Sequence, residues 1–154
     1  MGKVSLLDEA ITYDIANQLG MELGNKGKHE ETKVFYLAAL EGKTRVLRED
    51  HKKTLDSLNN LGNVLKNMEN YEVVLDYYQQ ALGGKEKVSG KTHPETLNTT
   101  MNIGAAYQVD LKDFTKAEEI YIALDGYERS LGEVHRHTKD CARNLTRLLE
   151  LMGP

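Results

Sequence analysis

The apolar positions of LDSLNNLGNVLKNMENYEVVLDYYQQAL, residues 55 to 82, fall into two helical registers set end to end. Leu58, Leu61 and Leu65 recur at i, i+3 and i+7, one face of a 3.6-residue period. Asn67, Glu69 and Asn70 break the pattern, and Tyr71, Val74, Tyr78, Ala81 and Leu82 restart it. Gly62, beside Leu61, is an expensive residue inside a helix, at about 1 kcal/mol against Ala. What it offers is a surface without a Cβ, against which the second helix can pack closely.

This two-helix unit recurs with a step of 42 residues: Ala39, Ala81 and Ala123; His51, His93 and His135; Thr12, Thr54, Thr96 and Thr138. Gly20, Gly62 and Gly104 keep the step, which Thr146 continues with the glycine lost. A fixed period of this length predicts stacked helix pairs, because a single pair cannot bury its own apolar face. Helices are predicted from about Ser5 to Leu23, His29 to Leu47, Asp50 (as N-cap) to Asn67, and Tyr71 to Val88. A fifth starts at Thr92-His93-Pro94-Glu95, with Thr92 capping and Glu95 completing a capping box. A sixth starts near Phe114, and a seventh runs from His135 to Met152 with a polar outer face, as a solvating cap. Ala16, Leu19 and Leu23 are the expected core of the first helix, and Lys43 and Arg45 suit the negative end of the second.

The fold class is thus all-α, with about seven helices in one domain over residues 1–154. Its repeats span approximately 5–48, 50–90 and 92–133, and its capping helix 135–152. One slip interrupts the register. Tyr71 to Phe114 and Tyr78 to Tyr121 are 43 residues, whereas Ala81 to Ala123 is 42. An added residue is expected in the turn at 109–113, and a missing one between Tyr121 and Ala123, which would bend or over-wind the sixth helix.

Composition narrows the function. Net charge is −4, which disfavours a nucleic-acid-binding surface. No apolar run is long enough for a membrane span. MGKVSLLDEA has no apolar core of a secretion signal, and a lone cysteine, Cys141, fits a reducing, cytoplasmic compartment. No phosphate-cradling loop, nucleophile elbow or metal-binding helix motif occurs, so neither an enzyme nor a cofactor is expected. The recurring histidines are read as helix starts, with no metal site. Cys141 is read as packing rather than as a reactive thiol.

The stretches TLDSLNNLGNVLKNMENYEVVLDYYQQAL, KTHPETLNTTMNIGAAYQ, FTKAEEIYIAL and YERSLGEVHRHT resemble the tetratricopeptide repeat (TPR), in the 42-residue form of kinesin light chains and nephrocystin-type proteins. The resemblance covers nearly the whole chain. It implies a right-handed superhelical stack of antiparallel helix pairs, a solenoid whose concave groove, lined by the first helix of each repeat, binds a peptide or protein segment. Carried onto this sequence, the groove residues are Asp14, Asn17, Met21, Asp56, Asn59, Asn63, Lys66, Asn98, Met101, Gln108, Arg143 and Arg147. Asn25, Asn67, Ala105, Asp140 and Glu150 lie on the same side, and Asn60, Asn102 and Asn144 form a ladder beside it.

Asparagine carries both donor and acceptor, so the cluster could pair with a peptide backbone; it could equally bond neighbouring helices and fix the stack. The paired Lys and Asn of carboxylate-binding arrays are incomplete here, with Asn17, Asn59, Met101 and Arg143 at those sites. The basic groove of kinesin light chains is also thin, since Asp14, Asp56 and Asp140 oppose Lys66, Arg143 and Arg147. A scaffold that binds protein, and no particular cargo, is what the resemblance supports.

The first helix has Ile11 and Ile15 where later ones have Lys53 and Ser57, or Glu95 and Thr99. This apolar edge is covered either by Val4, Leu6 and Leu7 folding back, or by another chain or another copy. The second case gives an alternative role, a structural subunit or assembly factor docking through its N-terminal helix or convex face.

Overall fold

The computed structural model describes residues 6–66, 68–131 and 136–153, with the side chains of 6–8, 10 and 128–141 left aside. Among the described residues every regular element is helical. They are α1 (Leu6–Asn25), α2 (His29–Leu47), α3 (Lys52–Lys66), α4 (Tyr71–Ser89), α5 (Pro94–Ala105), a π-helical turn (Ala106–Asp110), α6 (Phe114–Leu131) and α7 (Arg136–Met152). The chain forms two compact units, Met1–Gly84 and Lys85–Pro154, so the division falls inside α4. The readings placed on Val4, Asn67 and His135, and on the side chains of Leu6, Leu7, Asp140 and Cys141, lie outside the described residues.

The second helix of each pair buries the predicted stripe. In α2 it is Thr32, Tyr36 and Ala39; in α4, Val74, Tyr78 and Ala81; in α6, Ala117, Tyr121 and Leu124. In the first unit Leu55, Leu58 and Ala81 cluster with Leu40 and Tyr77. In the second, Leu97, Ala117, Tyr121, Leu124 and Leu148 cluster with Met101, Phe114 and Leu145.

These stripes correct the reading of the slip. The step from α4 to α6 is 43 throughout: Val74 to Ala117, Tyr78 to Tyr121, Ala81 to Leu124. Ala123 is exposed, so the Ala-Leu match at 123–124 is a coincidence of sequence, not of structure. No residue is missing from α6, which runs as one helix from Phe114 to Leu131. The added residue lies in the π turn at Ala106–Asp110, upstream of the predicted 109–113. A π turn takes one residue more than an α turn, so it absorbs an insertion while keeping the backbone bonded. The left-handed residue of each intra-pair turn marks the same step: Gly27 (φ 73°), Glu69 (φ 59°), Lys112 (φ 54°).

The helix starts also differ from expectation. The N-cap of α5 is His93, whose Nδ1 accepts from the Glu95 amide at 3.3 Å, not Thr92. Pro94 explains this, because it takes the first helical position and leaves the residue before it extended. At α3, His51 Nδ1 accepts from the Lys53 amide at 3.2 Å, so the cap falls on His51 rather than Asp50. Two of the period-42 histidines therefore have the same structural task.

In α1, Leu19 is 38% exposed, although its counterparts Leu61 and Ile103 are buried. The helix carrying Leu61, α3, packs on α2 of the preceding pair. No pair precedes α1 among the described residues, so its corresponding side stays open.

Candidate functional site

Each unit presents its candidate residues on its own helices. In the first unit Asp14 is tied up. Its Oδ1 lies 3.0 Å from Lys43 Nζ and its Oδ2 takes Lys53 Nζ at 2.5 Å, joining α1 to α2 and α3. Burial pushes the Asp14 carboxyl upward, but the hydrogen bonds and charges of Lys53 and Lys43 outweigh it and hold the group below the ordinary carboxylate range. Lys43, predicted to face the end of α2, is instead buried, and its ammonium also donates to Ser57 Oγ at 3.2 Å. Lys85, one period on, is buried as well. The signal for this lay in the spacing: Asp14 with Lys43, and Asp56 with Lys85, stand at the same separation.

Asn59 is buried, Lys66 and Asp56 are half-buried, and Asn63 is exposed. The half-buried Asn17 has an Oδ1 sealed from solvent without a donor among the described residues. Met21 is exposed.

In the second unit Asn98, Arg143 and Arg147 are exposed, and Met101 is half-buried against the core cluster. Gln108 is buried in the π turn, where its Oε1 accepts the Tyr121 hydroxyl at 3.0 Å.

A hollow of about 280 Å³ opens in the first unit between α1 and α3. From α1, Gly20, Met21, Gly24 and Asn25 line it; α2 supplies Tyr36, and α3 supplies Asn60, Asn63 and Val64. The two glycines make room on the α1 side. None of these side chains is charged, so the hollow is neutral and rich in amides. Asn63 Oδ1 is already engaged, accepting the Tyr78 hydroxyl at 2.5 Å, which leaves its amide N–H groups as what it offers. Tyr36 is 3% exposed, and its burial pushes the phenol above its usual range. Gly20, Gly24 and Tyr36 escaped the groove reading, and Asn60 was placed only beside it, because a helix-face pattern does not show where a second helix leaves space.

Ile11 and Ile15 are 51% and 58% exposed, and with Leu19 they make an apolar stripe at i, i+4 and i+8 along α1. Among the described residues no group of three or more His, Cys, Asp or Glu gathers to hold a metal, and no helix is long and apolar enough to cross a membrane.

The sequence profile of the tetratricopeptide repeat matches residues 9–87. None of the curated protein sequences matches significantly. Among solved structures, BtubC (BKLC) of P. vanneervenii is similar over 95% of this chain, with a TM-score of 0.85 and 20% identity. A Podosopora anserina protein assigned as a kinesin light chain, with nearly identical TPR-like repeats, is similar over 92% of the chain and 67% of its own, with a TM-score of 0.80 and 16% identity. A single-residue variant of that protein is similar over 90% of the chain and 66% of its own, with a TM-score of 0.78 and 15% identity. The chain spans 58% of the length of BtubC.

Proposed function

Since the chain belongs to the tetratricopeptide repeat family, we propose that it is a non-enzymatic, cytoplasmic scaffold module that holds a peptide or protein segment along the concave groove lined by the first helix of each repeat. The observation that carries the reading is the neutral, amide-lined hollow between α1 and α3. It sets three amide side chains beside Tyr36, Met21 and Val64, and polar groups placed among apolar ones are what fix a ligand's orientation.

Asn59 is buried, so changing it would disturb the core as well as the face. The triple change Asn98→Ala, Arg143→Ala, Arg147→Ala removes exposed candidate groove residues instead. A binding partner identified from source cells and then purified should lose at least tenfold in affinity for this variant, measured by calorimetry with the thermal melt unchanged. Unaltered affinity would exclude the groove residues of α5 and α7.

The exposed Ile11 and Ile15 favour a second reading, docking through the N-terminal helix to another chain or copy. Scattered exposed apolar residues are ordinary, but three in register along one helix are not. The double change Ile11→Lys, Ile15→Lys should then reduce the sedimenting mass, or release the partner, while sparing the groove. A monomer mass identical in wild type and variant, with partner affinity unchanged, would remove this reading.

A further inference from the structure

The helix pairs share one device, and the first pair lacks part of it. In each pair a tyrosine of the second helix lies over a glycine of the first: Tyr36 over Gly20, Tyr78 over Gly62, Tyr121 over Gly104. In the second pair the tyrosine hydroxyl donates to Asn63, the residue after the glycine. In the third pair the π turn brings Gln108 into that role. Both are side-chain amide acceptors.

In the first pair the residue after Gly20 is Met21, whose thioether is at best a weak acceptor. Tyr36 is as buried as its counterparts, but its ring lines the hollow, and no side chain among the described residues accepts from its hydroxyl. The ring also lies further from its glycine. A Cβ on Gly20 would stand 3.4 Å from it, against 2.5 Å for Gly62 and Tyr78. Tyr36, Met21, Asn60 and Asn63 all line the hollow.

We infer that this hollow is a subsite for one amide side chain, Asn or Gln, of the bound segment, whose carbonyl takes the hydrogen that Tyr36 offers and so stands where Asn63 and Gln108 stand in the other pairs. The inference rests on the groove reading and gives it a chemical preference. The amide N–H groups of the guest find carbonyl acceptors in Asn25 or Asn60. A carboxylate fits worse, because no cation lines the hollow to offset its desolvation. A purely apolar side chain would shut the Tyr36 hydroxyl off from water without giving it an acceptor. At about 280 Å³ the space suits a side chain rather than a drug-sized molecule.

The test is a random 12-residue peptide library displayed on phage and selected on the immobilised chain. The strongest binder is then synthesised and titrated. The selected peptides are expected to share one Asn or Gln, and replacing it by Leu or Glu should weaken binding at least tenfold. Tyr36→Phe, which removes the donor, should do the same. So should Met21→Asn, which supplies the missing acceptor from within and leaves the ring in place; its melt should not fall. Tyr13→Phe, outside the hollow, should bind as wild type.

Peptides without a shared amide overturn the inference. Peptides whose binding shifts the Met21 methyl resonance, yet is indifferent to Tyr36→Phe, overturn it alone and leave the groove reading standing. A library that yields no binder overturns both.

Discussion

Asp14→Ala should destabilise the first unit by about 2–3 kcal/mol in urea unfolding. The loss follows from what stays behind. Lys43 is buried, and without Asp14 its ammonium keeps, among the described residues, only the Ser57 hydroxyl as a partner. Removing one member of a buried ion pair costs roughly 3–5 kcal/mol, mostly as the uncompensated charge of the other. The Asp14 side chain is 37% exposed, so solvent screens part of the interaction and the loss falls at or below the lower end of that range. The pair itself is not what stabilises the fold most. The double change Asp14→Leu, Lys43→Met should restore wild-type stability or exceed it, as apolar replacements of buried pairs often do. A double variant as unstable as the single one would show that geometry, not buried charge, sets the cost.

The pH dependence has a definite sign. Asp14 is held below the ordinary carboxylate value in the folded chain, so the unfolded chain binds the proton more readily. Its contribution is fully present above the unfolded value near 3.8, and it fades as pH falls through the lowered folded one. Wild-type stability should therefore drop more steeply than that of Asp14→Ala below about pH 4.

The sequence carried the helices because their evidence is local and repeated. A stripe at 3.6 residues and a step of 42 are both visible without any knowledge of packing, and the buried positions of α2, α4 and α6 follow them. What failed were features settled by one atom or one turn. A proline moved the cap of α5 by one residue. The inserted residue could have sat anywhere between Gly104 and Phe114, and only the backbone shows that a π turn takes it. The Ala-Leu dipeptide at 123–124 looked like register because two small apolar residues recur easily.

The candidate face was less legible still. Helical spacing says which side chains share a side, but not which are used up by the stack itself. Asp14 bridges helices, Asn59 is buried, and Gln108 serves Tyr121. Met21 lines the hollow where the second pair has its acceptor, Asn63. That departure can be read from the sequence only by someone who already knows that Tyr78 needs Asn63.

Gly62 offers the second large effect, and a comparison within the chain decides its cause. Alanine in place of glycine inside a helix gains about 0.5–1 kcal/mol from backbone entropy. At Gly83 a Cβ would meet nothing within 4 Å, so Gly83→Ala should gain that amount. At Gly20 it would touch the Tyr36 ring at 3.4 Å, an ordinary contact, and most of the gain should survive. At Gly62 the new carbon would stand 2.5 Å from Cε1 and 2.7 Å from Cδ1 of Tyr78. That ring cannot swing aside, because it is fully buried and its hydroxyl is held by Asn63.

Overpacking of this kind costs roughly 1–3 kcal/mol and outweighs the entropy gain. Gly62→Ala should therefore lose about 1–2 kcal/mol net, and Gly62→Val, with two further methyls and poorer helix propensity, about 3 kcal/mol or more. Thermal melts of the four variants should thus order as Gly83→Ala highest, Gly20→Ala near it, Gly62→Ala below wild type and Gly62→Val lowest. If Gly62→Ala melts as high as Gly83→Ala, the glycine is not there to admit the tyrosine, and the close approach of the two helices has some other cause.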